Sequence, residues 1–167
     1  TLPLTPVERR HHSYYNRVLS WIQPTVVLFG EPGARLKSVM STGEYGLGRR
    51  LLLLNSETEN PEGSGYAVSD RRLTHTVERV ATDFTVLNRH RIDNLESHGV
   101  YNNRLASFQR RSESLLKEAR SALAEYRYSD YLDRARLAWS YAAAAYRDVS
   151  STQSGVIQGA LFLPAMI

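Results

Sequence analysis

The sequence predicts an α+β protein: a small antiparallel β-sheet, then a long antiparallel helical hairpin, then a third helix leading into a truncated transmembrane segment. Three observations carry that reading. Before Asp70, short apolar runs alternate with Gly- and Pro-rich turns. After Asp70, no proline occurs until Pro164, and apolar residues recur every three or four positions. From Gly155 to Ile167 the chain carries no charge and reads as a fragment cut inside an apolar run.

Residues 1–23 are expected to be a helical or linker segment left from a truncated upstream module. Within it, Tyr14, Val18, Leu19, Trp21 and Ile22 keep helical spacing behind the start signal Thr5-Pro6. Residues 24–70 form the β-module. Its strands are predicted over Thr25–Phe29, Ala34–Ser41, Arg50–Asn55 and Tyr66–Val68. Gly30-Glu31-Pro32-Gly33 turns the chain after the first, and the glycine-rich stretch 41–48 connects the second and third as a hairpin. In the second strand Leu36, Ser38 and Met40 share one face, and Arg35, Lys37 and Val39 the other; four successive leucines, Leu51 to Leu54, read as buried on both faces.

Residues 71–153 hold the hairpin and the third helix. One apolar stripe runs from Leu73 through Val80, Phe84 and Ile92 to Leu95 and stops at Ser97-His98-Gly99, where glycine closes a helix. At about 26 residues, this helix would be roughly 39 Å long, making the hairpin stalk-like. A second stripe runs from Leu105 through Leu116 to Leu123 and Tyr126. The third helix is predicted to start after the capping pair Ser129-Asp130. Tyr131, Trp139, Ala142, Ala145 and Tyr146 are its expected packing residues, the alanines letting a partner helix come close. Glu113 with Lys117 and Asp130 with Arg134 have the spacing of ion pairs along one helix face.

Residues 154–167 are expected to begin a membrane helix, with Gly155, Gly159, Leu161, Phe162 and Leu163 as its entry. Thirteen uncharged residues are too few to span a bilayer alone, which takes about twenty. Gly155 and Gly159 make the G-x-x-x-G spacing that suits close helix packing in lipid.

Composition and motifs argue against chemistry. With 42% hydrophobic residues, the chain can bury a core without staples. A net charge of +4 is modest, and no basic stripe is interleaved with aromatics, so no nucleic acid partner is expected. The absence of cysteine excludes disulfides, thiolate nucleophiles and iron–sulfur clusters. Gly43 to Gly48 lacks the Lys-Ser/Thr ending of a phosphate loop and precedes a strand. His11, His12, His75, His90 and His98 include no helical zinc pair, Ser64 sits in no nucleophile elbow, and Glu57, Glu59 and Glu62 lie in a polar loop. No catalytic residue, metal site or cofactor is assigned.

Two stretches carry a family resemblance. Glu31-Pro32-Gly33-Ala34-Arg35-Leu36-Lys37, continued by Arg50 to Asn55 and Asn60 to Tyr66, resembles a segment of large bacterial membrane proteins with an FtsX-like permease region. Ala138-Trp139 through Tyr146-Arg147-Asp148-Val149 to Gly159 resembles the helix that runs into the first membrane span of that family. These composite proteins carry a carboxypeptidase-regulatory-like domain upstream. The resemblance implies a non-catalytic segment on the extracytoplasmic side of the bacterial cell membrane, coupling an upstream β-domain to the membrane domain of the same polypeptide. Its implied partners are those domains, the membrane, and the nucleotide-hydrolysing subunit of an ABC transporter permease. Two other readings stay open. A soluble helical protein-binding module would close its core over Leu161 to Ile167. An accessory domain of a membrane-anchored peptidase would have a cleft lined by Arg35, Glu44 or His75.

Overall fold

The computed structural model describes residues 28–41, 50–69 and 73–162. The chain divides into two units, Thr1–Gly30 and Glu31–Ile167, and every element below belongs to the second. The helix expected over Val7–Ile22, the start of the first expected strand and the glycine-rich connection with Glu44 lie outside the described residues. Leu28 and Phe29, which end that expected strand, are described and are not in a strand.

Among the described residues four short strands form: β1 (Arg35–Leu36), β2 (Ser38–Ser41), β3 (Arg50–Leu53) and β4 (Tyr66–Ala67). They make two antiparallel ribbons rather than the single expected sheet. β1 pairs with β4, Leu36 opposite Tyr66. β2 pairs with β3, Ser38 opposite Leu53 and Ser41 opposite Arg50. The strand predicted over Ala34–Ser41 is therefore divided at Lys37, because its two halves answer to different partners. Its alternation survives the break: Arg35, Lys37 and Val39 are exposed, and Leu36, Ser38 and Met40 half-buried. Of the four leucines only Leu52 and Leu53 are buried; Leu51 and Leu54 are partly covered at the edge of the core.

The loop from β3 to β4 is closed by glycine. Gly63 has φ +75°, and a Cβ there would lie 2.1 Å from the carbonyl oxygen of Leu54, so no other residue fits without moving the backbone. The Arg35 guanidinium donates to the carbonyls of Ser64 at 2.8 Å and Gly65 at 2.9 Å, stitching the loop to β1.

Three helices follow: α1 (Thr76–Ser97), α2 (Asn103–Ala124) and α3 (Tyr128–Phe162). The first spans 22 residues, so the expected length of 39 Å shrinks to roughly 33 Å, and Leu73 precedes the helix. Gly99, at φ +78°, closes α1, with the Val100 N–H returning to the Leu95 carbonyl at 2.9 Å. Asn102 caps α2, its side chain accepting from the N–H groups of Arg104 and Leu105. Tyr126 was expected on the apolar stripe of α2. It lies instead in the turn after that helix, at φ +59° and 77% exposed. α3 starts at Tyr128, so Ser129 and Asp130 form its first turn rather than its cap; Asp130 there suits the helix dipole and pairs with Arg127.

The hairpin of α1 and α2 is not a bare stalk, because α3 packs against both helices along its length. Near one end Ala119, Ala122, Tyr131 and Ala135 pack with Val77. In the middle Ala81, Leu115, Leu116 and Ala138 meet. Toward the α1–α2 loop Ile92, Leu95 and Leu105 close over Ala145 and Val149. The β ribbons cover one flank, with Leu52 and Leu53 against Val80, Phe84, Leu87 and Ala142. The expected ion pairs within a helix give way to pairs between helices: Glu113 meets Arg89 of α1, and Arg134 meets Glu118 at 3.1 Å. At a helix–helix seam, a carboxylate is within reach of the neighbouring helix as well as of its own.

Candidate functional site

The packing residues expected on the third helix are strung along α3 rather than gathered at one point. Ala135, Ala138, Ala142, Ala145 and Val149 are fully buried at alternating spacings of three and four, a seam of small side chains that brings α3 close to the hairpin. Methyl groups leave the carbonyls behind them accessible to polar side chains opposite. Ser112 Oγ on α2 donates to the Ala138 carbonyl at 3.1 Å, and Asn88 Nδ2 on α1 donates to the Ala142 carbonyl at 2.8 Å. Ser112 also shares a 2.7 Å hydrogen bond with Thr85, whose carbonyl accepts from Gln109 Nε2 at 3.0 Å. These contacts fix both the rotation and the axial register of α3. Asn88 Oδ1 and Gln109 Oε1 are buried without a hydrogen-bond partner among the described residues, which limits what the network adds to stability. The sequence reading missed all four polar residues. The available signal was that each falls within or beside an apolar stripe.

The aromatic residues of α3 have separate seats. Tyr146 packs edge-on against Phe84, with ring centroids 5.2 Å apart, and carries Arg91 over its other side at 4.9 Å. Trp139 is half-buried between the β ribbons and the α2 seam. Tyr131 lies at the start of α3, with its hydroxyl 3.0 Å from His75 Nδ1 and 3.4 Å from Glu78 Oε2. Burial, reinforced by the Glu78 carboxylate, pushes the Tyr131 phenol up to about 12. Arg120 Nε donates to the other oxygen of Glu78 at 2.9 Å, tying α2 into the same corner. Tyr131, at one end of α3, and Ala145, toward the other, therefore mark the two ends of one seat.

The β-module is latched to the helices by one carboxylate. Asp83 is buried on α1 and accepts from the backbone N–H groups of Leu54 at 2.7 Å, Asn55 at 3.3 Å and Ser56 at 2.7 Å. Asn55 has φ +56°, the left-handed turn that points successive N–H groups at one anion. Here the anion belongs to the protein itself. Of the residues expected to line a peptidase cleft, Arg35 is bonded to the loop carbonyls of Ser64 and Gly65 and His75 to Tyr131, and Glu44 lies outside the described residues. Among the described residues, no group of three or more His, Asp or Glu side chains gathers as a metal site.

At its far end α3 outruns the core. Up to Gly155 its last buried residue is Val149, and the helix backbone continues unbroken through residues 153 and 154 to Phe162. Ser154 and Gly155 are exposed, and nothing lies within 4 Å of where a Gly155 Cβ would be. Gly159, Leu161 and Phe162 continue the helical backbone, and Leu163 is outside the described residues. Among the described residues no helix is long and apolar enough to cross a membrane. No family model, curated protein or solved structure matches this chain.

Proposed function

We propose that the chain is a non-catalytic, membrane-proximal coupling segment of a permease-like protein of the bacterial cell membrane, in which α3 is the rod joining the β-module to a membrane domain. The observation that carries the reading is the continuation of the α3 helical backbone for about 20 Å beyond Val149, at 1.5 Å per residue, with no charged residue after Asp148. After the polar stretch Ser150 to Ser154 the helix sequence turns mostly apolar, with Val156, Ile157, Leu161 and Phe162, and such a run is best received by an apolar environment. The rod is held in register against α1 and α2 by Asn88 and Ser112, and α1 in turn is latched to the β-module through Asp83, so a displacement of the β-module is passed to α3 through α1. The permease family, the extracytoplasmic side and the upstream β-domain rest on the resemblance of the two stretches described above. A nucleotide-hydrolysing subunit enters only as a partner of such a permease. The membrane-entering part proposed is residues 154–167.

The chain has no cysteine, so single-cysteine variants report cleanly. Full-length chain carrying Ser129→Cys or Leu161→Cys, labelled with an environment-sensitive fluorophore, is mixed with phospholipid vesicles. The label at 161 is expected to shift to an apolar signal only with vesicles, and the label at 129 to stay in water. An apolar signal at 161 without lipid, or no change with it, would overturn the reading in favour of a soluble binding module.

A further inference from the structure

α3 continues past the end of the helical bundle that carries the α1–α2 loop, where Arg104 and Asp148 meet. Tyr101 lies in the α1–α2 loop and is 74% exposed. It is not a loose residue. Its predecessor Val100 is packed against Ile92, Leu105 and Val149, and its successor Asn102 is the cap of α2, so the ring is held outward from both sides.

Charged groups of both signs lie at this end. Arg104 reaches across to α3 and pairs with Asp148 at 2.6 Å, which neutralises the last carboxylate of the chain. Arg147, one residue earlier, is exposed and has no ion-pair partner among the described residues. Asp93 and Glu96, in the last two turns of α1, lie at the same end, so the lipid contact falls to the Tyr101 ring and to the long arms of Arg104 and Arg147 rather than to a net positive patch. Gly155 lies seven residues beyond Asp148, about 10 Å along the axis, a distance comparable to the headgroup layer of a bilayer. An aromatic ring with a polar tip and long cationic side chains are the groups that settle in that layer.

From this placement we infer that the loop end of the bundle, with Tyr101, Arg104 and Arg147, is a foot that rests in the phospholipid headgroup layer around the exit of α3. The inference rests on the membrane-proximal reading and adds to it which surface touches lipid and through which side chains. The opposite end supplies an internal control, because Tyr126 is 77% exposed, the same residue type at the same exposure in the turn between α2 and α3.

The test uses full-length chain and vesicles of mixed phosphatidylcholine and phosphatidylglycerol. Tyr101→Ser and Arg147→Ser are each expected to weaken vesicle partitioning about five-fold, the scale of one basic residue at an anionic surface, with thermal unfolding unchanged. Tyr126→Ser is expected to leave partitioning within two-fold. In parallel, a label at Tyr101→Cys is expected to be quenched by a quencher carried on the lipid headgroup, and one at Tyr126→Cys is not. If the two tyrosine positions respond alike while a label at Leu161→Cys enters lipid, the foot is refuted and the membrane-proximal reading stands. If the label at 161 stays in water, both fall. A requirement for Arg110 and Arg111 on the outer face of α2, in place of Tyr101 and Arg147, would also refute the foot and point to an acidic protein partner instead.

Discussion

Asp83 and Ser56 meet at 2.7 Å, the carboxylate of one accepting the backbone N–H of the other, and this bond with its two neighbours joins the β-module to the helices. Asp83→Asn keeps the shape but replaces one acceptor oxygen by a donor facing backbone donors. The expected loss is about 3 kcal/mol in urea unfolding, the scale of a buried charged hydrogen-bonding group broken on one side. A loss under about 0.5 kcal/mol, which is usual for surface changes, would show that the latch is not holding the two parts together.

The alanine seam predicts a second outcome. Ala142 is fully buried between Phe84 of α1 and Leu52 of β3, and its carbonyl is bonded to Asn88. Ala142→Leu would have to push α3 off the hairpin. Stability is expected to fall by about 1–3 kcal/mol by denaturant titration, whereas Ala124→Leu at the exposed end of α2 should stay within about 0.5 kcal/mol. Equal effects would mean that α3 is not closely seated.

Tyr131 predicts a pH dependence. Its phenol is raised from 10.0 to about 12, so the folded chain keeps a proton that the unfolded chain releases over that interval. The associated stability is complete below pH 10 and is lost as pH rises toward 12. Burial also raises the Tyr66 phenol, so ultraviolet titration of the ten tyrosines is expected to show more than one late phenol, of which the one near 12 disappears in Tyr131→Phe, and the variant should lose less stability across the interval. A phenol still titrating near 12 in that variant would assign the shift to another tyrosine.

The seat of α3 was legible in part. Ala142, Ala145 and Tyr131 were foreseen as packing residues and are buried; Trp139 and Tyr146 were foreseen and are half-buried against the same core. Thr85, Asn88, Gln109 and Ser112 were not foreseen, because a polar residue in an apolar stripe reads as an interruption until the carbonyl it bonds is known. Asp83 was hidden for the same reason, its partners lying 27 to 29 residues away.

By itself the sequence determined what local periodicity can encode: three amphipathic helices, the in–out alternation at Leu36, Ser38 and Met40, and the loss of charge after Asp148. Tertiary structure alone decided where partners were chosen. It split the strand at Lys37, sent Glu113 to Arg89, moved Tyr126 off its stripe and carried α3 without interruption to Phe162. Side-chain spacing repeats within a segment and can be read there. The partner of a backbone amide or a charge is whichever group the folded chain brings within about 3 Å, and residues far apart in sequence compete for that place.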